Sequence, residues 1–103
     1  MDLGLKGKTA LITGGSKGIG RAIAEFFAAE GCDLVLVARN AADLARVQEE
    51  INRQSPGVRV QVHPADLSVA TAATDLAKAF PDIDILINNA GAIQDRKSTR
   101  LNS

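Results

Sequence analysis

Apolar positions along this chain gather into short runs, and the stretches between them repeat at helical spacing. Lys8 to Thr13 is a brief β-prone run that breaks into glycines. From Gly18 to Glu30, Ile19, Ile23, Phe26 and Phe27 recur at the period of a helix, and Gly31 follows where a helix stops. Asp33 to Ala38 is continuously apolar instead of alternating, the mark of a strand buried on both faces of a parallel sheet. Asn40 with Asp43 three residues on predicts a capped helix of about fourteen residues, its inner stripe being Leu44, Val47 and Ile51. Ser55-Pro56-Gly57 ends it. Val58 to Val62 alternates, as a strand near a sheet edge does. Ser68 is expected to cap a third helix carrying Ala72, Leu76, Ala79 and Phe80, closed by Pro81-Asp82, and Ile83 to Ile87 forms a fourth strand.

The order is therefore β-α-β-α-β-α-β. Right-handed crossovers turn that order into a parallel sheet 3-2-1-4 with helices on both faces, an α/β arrangement. At 103 residues one domain is possible and two are not. The formal charge is zero, so neither nucleic acid nor an anionic membrane is an expected partner. Apolar runs such as 34–38 are far too short to span a bilayer, and the first eight residues lack a secretory core. The single cysteine, Cys32, fits a cytoplasmic, reducing setting and reads as a small buried hydrophobe. Phe26, Phe27 and Phe80 read as core. His63, the one histidine, reads as structural, with no expected metal.

Chemistry concentrates between the first strand and the first helix, at Thr13-Gly14-Gly15-Ser16-Lys17-Gly18-Ile19-Gly20. Gly14 permits a tight turn. Gly18 and Gly20 let backbone approach a diphosphate and let the helix pack close to the sheet. A helix N-terminus then offers N–H groups and partial positive charge to phosphates. An ordinary glycine-rich turn is the plain alternative. At the end of the second strand, where an acidic residue would bind the ribose hydroxyls of NAD(H), stands Arg39. A guanidinium suits a 2′-phosphate instead, and Lys17 lies within reach of the same group, so the pair favours NADP(H) over NAD(H). Solvated surface charges would look the same in sequence.

The glycine spacing resembles that of the short-chain dehydrogenase/reductase family, whose motif is Thr-Gly-x-x-x-Gly-x-Gly. Two further matches follow in the family's order: Asp66-Leu67 after the third strand, and Asn88-Asn89-Ala90-Gly91 after the fourth. The resemblance implies a Rossmann-like, doubly wound parallel sheet, of which residues 1–93 would be the N-terminal half. It implies cofactor contacts from Gly14, Ser16, Lys17, Gly18, Ile19, Gly20 and Arg39, from Asp66 and Leu67 toward adenine, and from Asn88, Ala90 and Gly91 toward the adenosine ribose. A turn-capping role for Asp66 competes with its adenine role.

By the same resemblance, the parent protein is expected to be a cytoplasmic, homo-oligomeric oxidoreductase acting on a small-molecule carbonyl or secondary alcohol, its glycine loop, Arg39 and general layout resembling those of 3-oxoacyl-carrier-protein-reductase-like members. The family's proton transfer uses Ser and Tyr-x-x-x-Lys. This chain has no tyrosine, so that set is not in it, and no catalytic residue is assigned. A non-catalytic NADP(H)-binding domain and a non-functional truncated product are the alternatives. Residues 94–103 are expected to be foreign to the domain: Asp95 to Ser103 reads as the in-frame translation of a string resembling a common sequencing-library adapter.

Overall fold

The second strand organises everything around it. In the computed structural model, which describes residues 4–68 and 71–89, Asp33–Ala38 (β2) lies between two parallel neighbours. Thr9–Thr13 (β1) pairs with it in register from Thr9↔Asp33 to Thr13↔Val37. Val60–Pro64 (β3) pairs on the other side from Leu34↔Val60 to Ala38↔Pro64. Ile85–Asn88 (β4) completes the sheet against β1, from Ala10↔Ile85 to Thr13↔Asn88. The strand order is β3-β2-β1-β4, all parallel, as the sequence predicts.

Successive side chains of a strand point to opposite faces, and in β1 and β2 both faces are buried. Ala10, Ile12, Leu34 and Leu36 meet Ala24 and Ala28 of Gly18–Ala29 (α1) and Leu44, Val47 and Ile51 of Ala41–Gln54 (α2). Leu11, Val35 and Val37 meet Leu76 of Ala72–Ala79 (α3) on the opposite face. This is a Rossmann-like, doubly wound layout. Fully burying a leucine or valine side chain is worth about 1.5–3 kcal/mol, so the packing of β1 and β2 against the helices contributes much of the cohesion.

Three local expectations need correcting. The face that α1 buries is small: Gly20, Ala24 and Ala28. The large residues lie beside or outside it, with Ile23 and Phe27 partly buried, Ile19 72% exposed and Phe26 49% exposed. Phe26 is therefore not core; it packs edge-on against Phe27 at 5.4 Å. Small residues let α1 lie close to the sheet, which moves its bulky neighbours outward. Strands β3 and β4 each start two residues later than their apolar runs suggest. Val58 is still turning, its N–H donating to the Ser55 carbonyl. At β4 the Asp84 carboxylate accepts from Thr9 N–H at 2.9 Å before the ladder begins. Finally, α3 is preceded by Thr71, and Ser68 does not cap it.

Among the described residues no helix is long and apolar enough to cross a membrane.

Candidate cofactor site

Because all four strands run the same way, their C-terminal ends share one edge of the sheet. The chain leaves β1 toward β2 on one side, while β4 arrives on the other, so a crevice opens between β1 and β4, the usual ligand position in such sheets. The Gly14–Lys17 loop lies over this edge. Gly14 has φ 69°, a left-handed conformation costly for other residues, and its N–H donates to the Val37 carbonyl at 2.7 Å. A Cβ on Gly20 would lie 2.0 Å from the Gly14 carbonyl oxygen, so α1 begins in direct contact with the loop. Gly18, with φ 54°, differs: a Cβ there would meet nothing within 4 Å.

The start of α1 has no internal partner for its first N–H groups. Lys17 at its N-cap makes no side-chain capping bond, and no acidic residue stands in the first turn. Helix α2 is opposite in both respects: the Asn40 side chain accepts from Asp43 N–H at 3.0 Å, as the sequence predicts, and Asp43 stands in its first turn. Ser16 is half-buried in the loop and Ile19 is exposed just beyond it.

Lys17 reaches across to α2, its Nζ lying 3.7 Å from the Asp43 carboxylate. That carboxylate stands in the first turn of the helix that follows Arg39, itself exposed directly after β2. Asp66, also exposed, accepts from Ser68 through both its hydroxyl (2.6 Å) and its backbone N–H (3.0 Å). These bonds, with a smaller contribution from the Arg39 charge, hold its carboxyl below the usual value. Ser68 thus serves the turn at Asp66, where the sequence suggested a helix cap. Leu67 packs against the Leu11–Val35–Val37–Leu76 cluster.

At the end of β4, Asn88 Oδ1 accepts from the Thr13 hydroxyl at 3.0 Å. Sequence reasoning did not single out Asn89, yet its Nδ2 donates to the Gly14 carbonyl at 3.4 Å and braces the loop from behind. The doubled asparagine was the available signal, though it does not say which of the two supports the loop. Ala90 and Gly91 lie outside the described residues. His63 packs edge-on against Phe80 at 5.4 Å, and among the described residues no group of three metal-binding side chains comes together.

These features suit a dinucleotide. Its diphosphate needs a close backbone, unpaired N–H groups and room, and Gly14, Gly18 and the uncapped start of α1 offer all three. Its adenosine end would extend along the rim carrying Lys17, Arg39 and Asp66.

The short chain dehydrogenase family model matches residues 8–103. The chain belongs to this family. Its relatives include the D-beta-hydroxybutyrate dehydrogenase of Cupriavidus necator, 42% identical over 84% of the chain and 34% of the relative's length. The 3-oxoacyl-[acyl-carrier-protein] reductase of Escherichia coli is 34% identical over 96% of the chain and 40% of its own length. Among solved structures, L-sorbose reductase from Gluconobacter frateurii, complexed with NADPH and L-sorbose, superposes with a TM-score of 0.77. It is 42% identical, over 88% of the chain and 36% of that protein. A 3-oxoacyl (acyl-carrier-protein) reductase from Agrobacterium tumefaciens with NADP bound gives 0.74 at 43% identity, over 82% and 33%. The chain spans between a third and about two fifths of the length of these short-chain dehydrogenases.

Proposed function

We propose that this chain is the NADP(H)-binding half of an oxidoreductase that interconverts a carbonyl and a secondary alcohol. The observation that carries the reading is the placement of Lys17, whose Nζ stands 3.7 Å from the Asp43 carboxylate in the first turn of the helix that follows Arg39. Two cations on one rim suit a 2′-phosphate, and a guanidinium cannot accept bonds from ribose hydroxyls. The NADPH and NADP in two similar solved structures support the same choice.

Gly14, Ser16, Gly18, Ile19 and Gly20 would border the diphosphate, with the N–H groups of α1 donating to it. Asp66 and Leu67 would flank adenine, and Asn88, Ala90 and Gly91 the ribose. The bound nicotinamide would supply or accept hydride. Proton transfer belongs to a Ser and Tyr-x-x-x-Lys set, and with no tyrosine this polypeptide alone is expected to bind cofactor without turnover. That same lack leaves a non-catalytic NADP(H)-binding domain as the second reading. A cytoplasmic homo-oligomer of the 3-oxoacyl-carrier-protein-reductase type, with residues 94–103 foreign to it, completes the proposal. Sequencing the gene beyond Ile93 tests that last point: recovery of the same codons there would remove it.

The cofactor reading is tested by titrating the full-length protein with NADPH and NADH and following nicotinamide fluorescence. Tighter NADPH binding, lost on Lys17→Ala with Arg39→Ala while NADH binding stays, is the expected result. Equal affinity for both cofactors, unchanged in the double variant, would overturn it.

A further inference from the structure

The carboxylate that holds Lys17 is already occupied. Asp43 accepts from Arg46 one turn along α2 and stands at the positive end of that helix, its side chain only 13% exposed. Lys17, by contrast, is 80% exposed and crosses from another loop to reach it. The fold depends little on this crossing, since its Lys17 end is solvated and a pair with one freely solvated partner adds little stability. What it changes is the charge around the rim. A fixed anion sits beside one of the two cations assigned to the 2′-phosphate.

Resting on the NADP(H) reading above, we infer that Asp43 is a specificity-determining residue that acts against the 2′-phosphate. Its carboxylate is an internal counter-anion. Lys17 must leave it or share it when a phosphate arrives, and the phosphate meets a like charge at the same turn. NAD(H) has no 2′-phosphate and meets neither effect. Asp43 therefore narrows the gap between the two cofactors, while Lys17 and Arg39 widen it. Arg46 partly offsets the carboxylate from the far side, which keeps the effect modest.

The test uses the full-length protein, with NADPH and NADH as probes, comparing wild type with Asp43→Asn, which keeps the side chain's size and polarity. NADPH should bind roughly three- to fivefold more tightly in the variant, the worth of one charge partly offset by Arg46 and facing a solvated rim, with NADH unchanged. The gain should shrink as salt rises, because exposed charges are screened within about 10 Å at 0.1 M. Asp43→Glu should restore wild-type behaviour. Should Asp43→Asn melt earlier than wild type, Asp43→Ser, another small uncharged polar residue, must show the same gain. An unchanged or weakened NADPH affinity, or an equal gain for NADH, overturns the inference. If wild type prefers NADPH while Asp43→Asn changes nothing, only the role of Asp43 falls. If wild type shows no preference and Lys17→Ala is silent, the NADP(H) reading falls with it.

Discussion

Replacing Gly20 by alanine is the sharpest test of how the loop and helix are built. The added Cβ would lie 2.0 Å from the Gly14 carbonyl oxygen, 2.8 Å from its carbonyl carbon and 2.9 Å from Asn89 Nδ2. The first contact is roughly 1.5 Å inside ordinary van der Waals range. The Cβ is fixed rigidly to the helix and the two nearest atoms are Gly14 backbone, so no rotamer change relieves that clash, and either α1 tilts away or the loop is displaced. Overpacking of this kind costs about 1–3 kcal/mol, offset by up to about 1 kcal/mol of improved helix propensity. With a backbone clash placing the cost at the upper end, about 2 kcal/mol remains. In a full-length protein of this family that lowers Tm by about 4–8 °C. Cofactor binding should fall with it, since the displaced backbone carries the N–H groups at the start of α1. Urea denaturation and NADPH titration of the same samples measure both effects. Gly18→Ala is the control: with nothing within 4 Å it costs only about 1–2 kcal/mol of left-handed strain, and no atom has to move. If Gly20→Ala unfolds at the wild-type urea concentration and binds NADPH normally, the close-packing argument is wrong.

Further expectations follow from single residues. The Asp66 carboxyl should titrate below its ordinary 3.8, and Ser68→Ala should return it toward that value, as carboxyl-carbon NMR would show. With the folded pKa depressed, the turn's contribution is complete above the ordinary value and fades as pH falls through the lowered one; titration at or above 3.8 would contradict this. The Cys32 thiol is raised first by burial and then by the charges of Asp33 and Glu30. It should ignore a disulfide reagent at neutral pH until the protein is unfolded, and prompt reaction of the native protein would count against its burial. Leu36→Ala, at a fully buried site of the central strand, should cost about 3 kcal/mol by denaturant unfolding; under about 1 kcal/mol would mean the core repacks there.

The best-read part of the sequence was the stretch from Asp33 to Gln54. Its strand is continuously apolar because both faces are covered, and its helix announces itself through the Asn40 cap and a stripe of Leu44, Val47 and Ile51. Both signals are local. The errors arose where distant partners decide. Strand β3 begins at Val60 because that residue faces Leu34, and β4 begins at Ile85 because it faces Ala10, which a run of apolar letters cannot reveal. On α1 the helical period is equally satisfied by Gly20, Ala24 and Ala28 and by the larger residues beside them. Only the close approach of helix to sheet selects the small set. The glycine-rich loop after β1 is legible as a tight turn, because its glycines answer to local geometry. The support from Asn89 is not legible, since its bond to Gly14 spans 75 positions.

That span also bears on the order of events as the chain folds. Loops of this length close slowly, and parallel pairings between remote segments form late. Strands β1, β2 and β3 can meet through two shorter crossovers, but Gly14 gains its brace from Asn89, and Thr13 its bond to Asn88, only after β4 has docked. A growing chain would thus carry the whole glycine motif long before that loop is held in place, and the loop takes its final form only once β4 has docked.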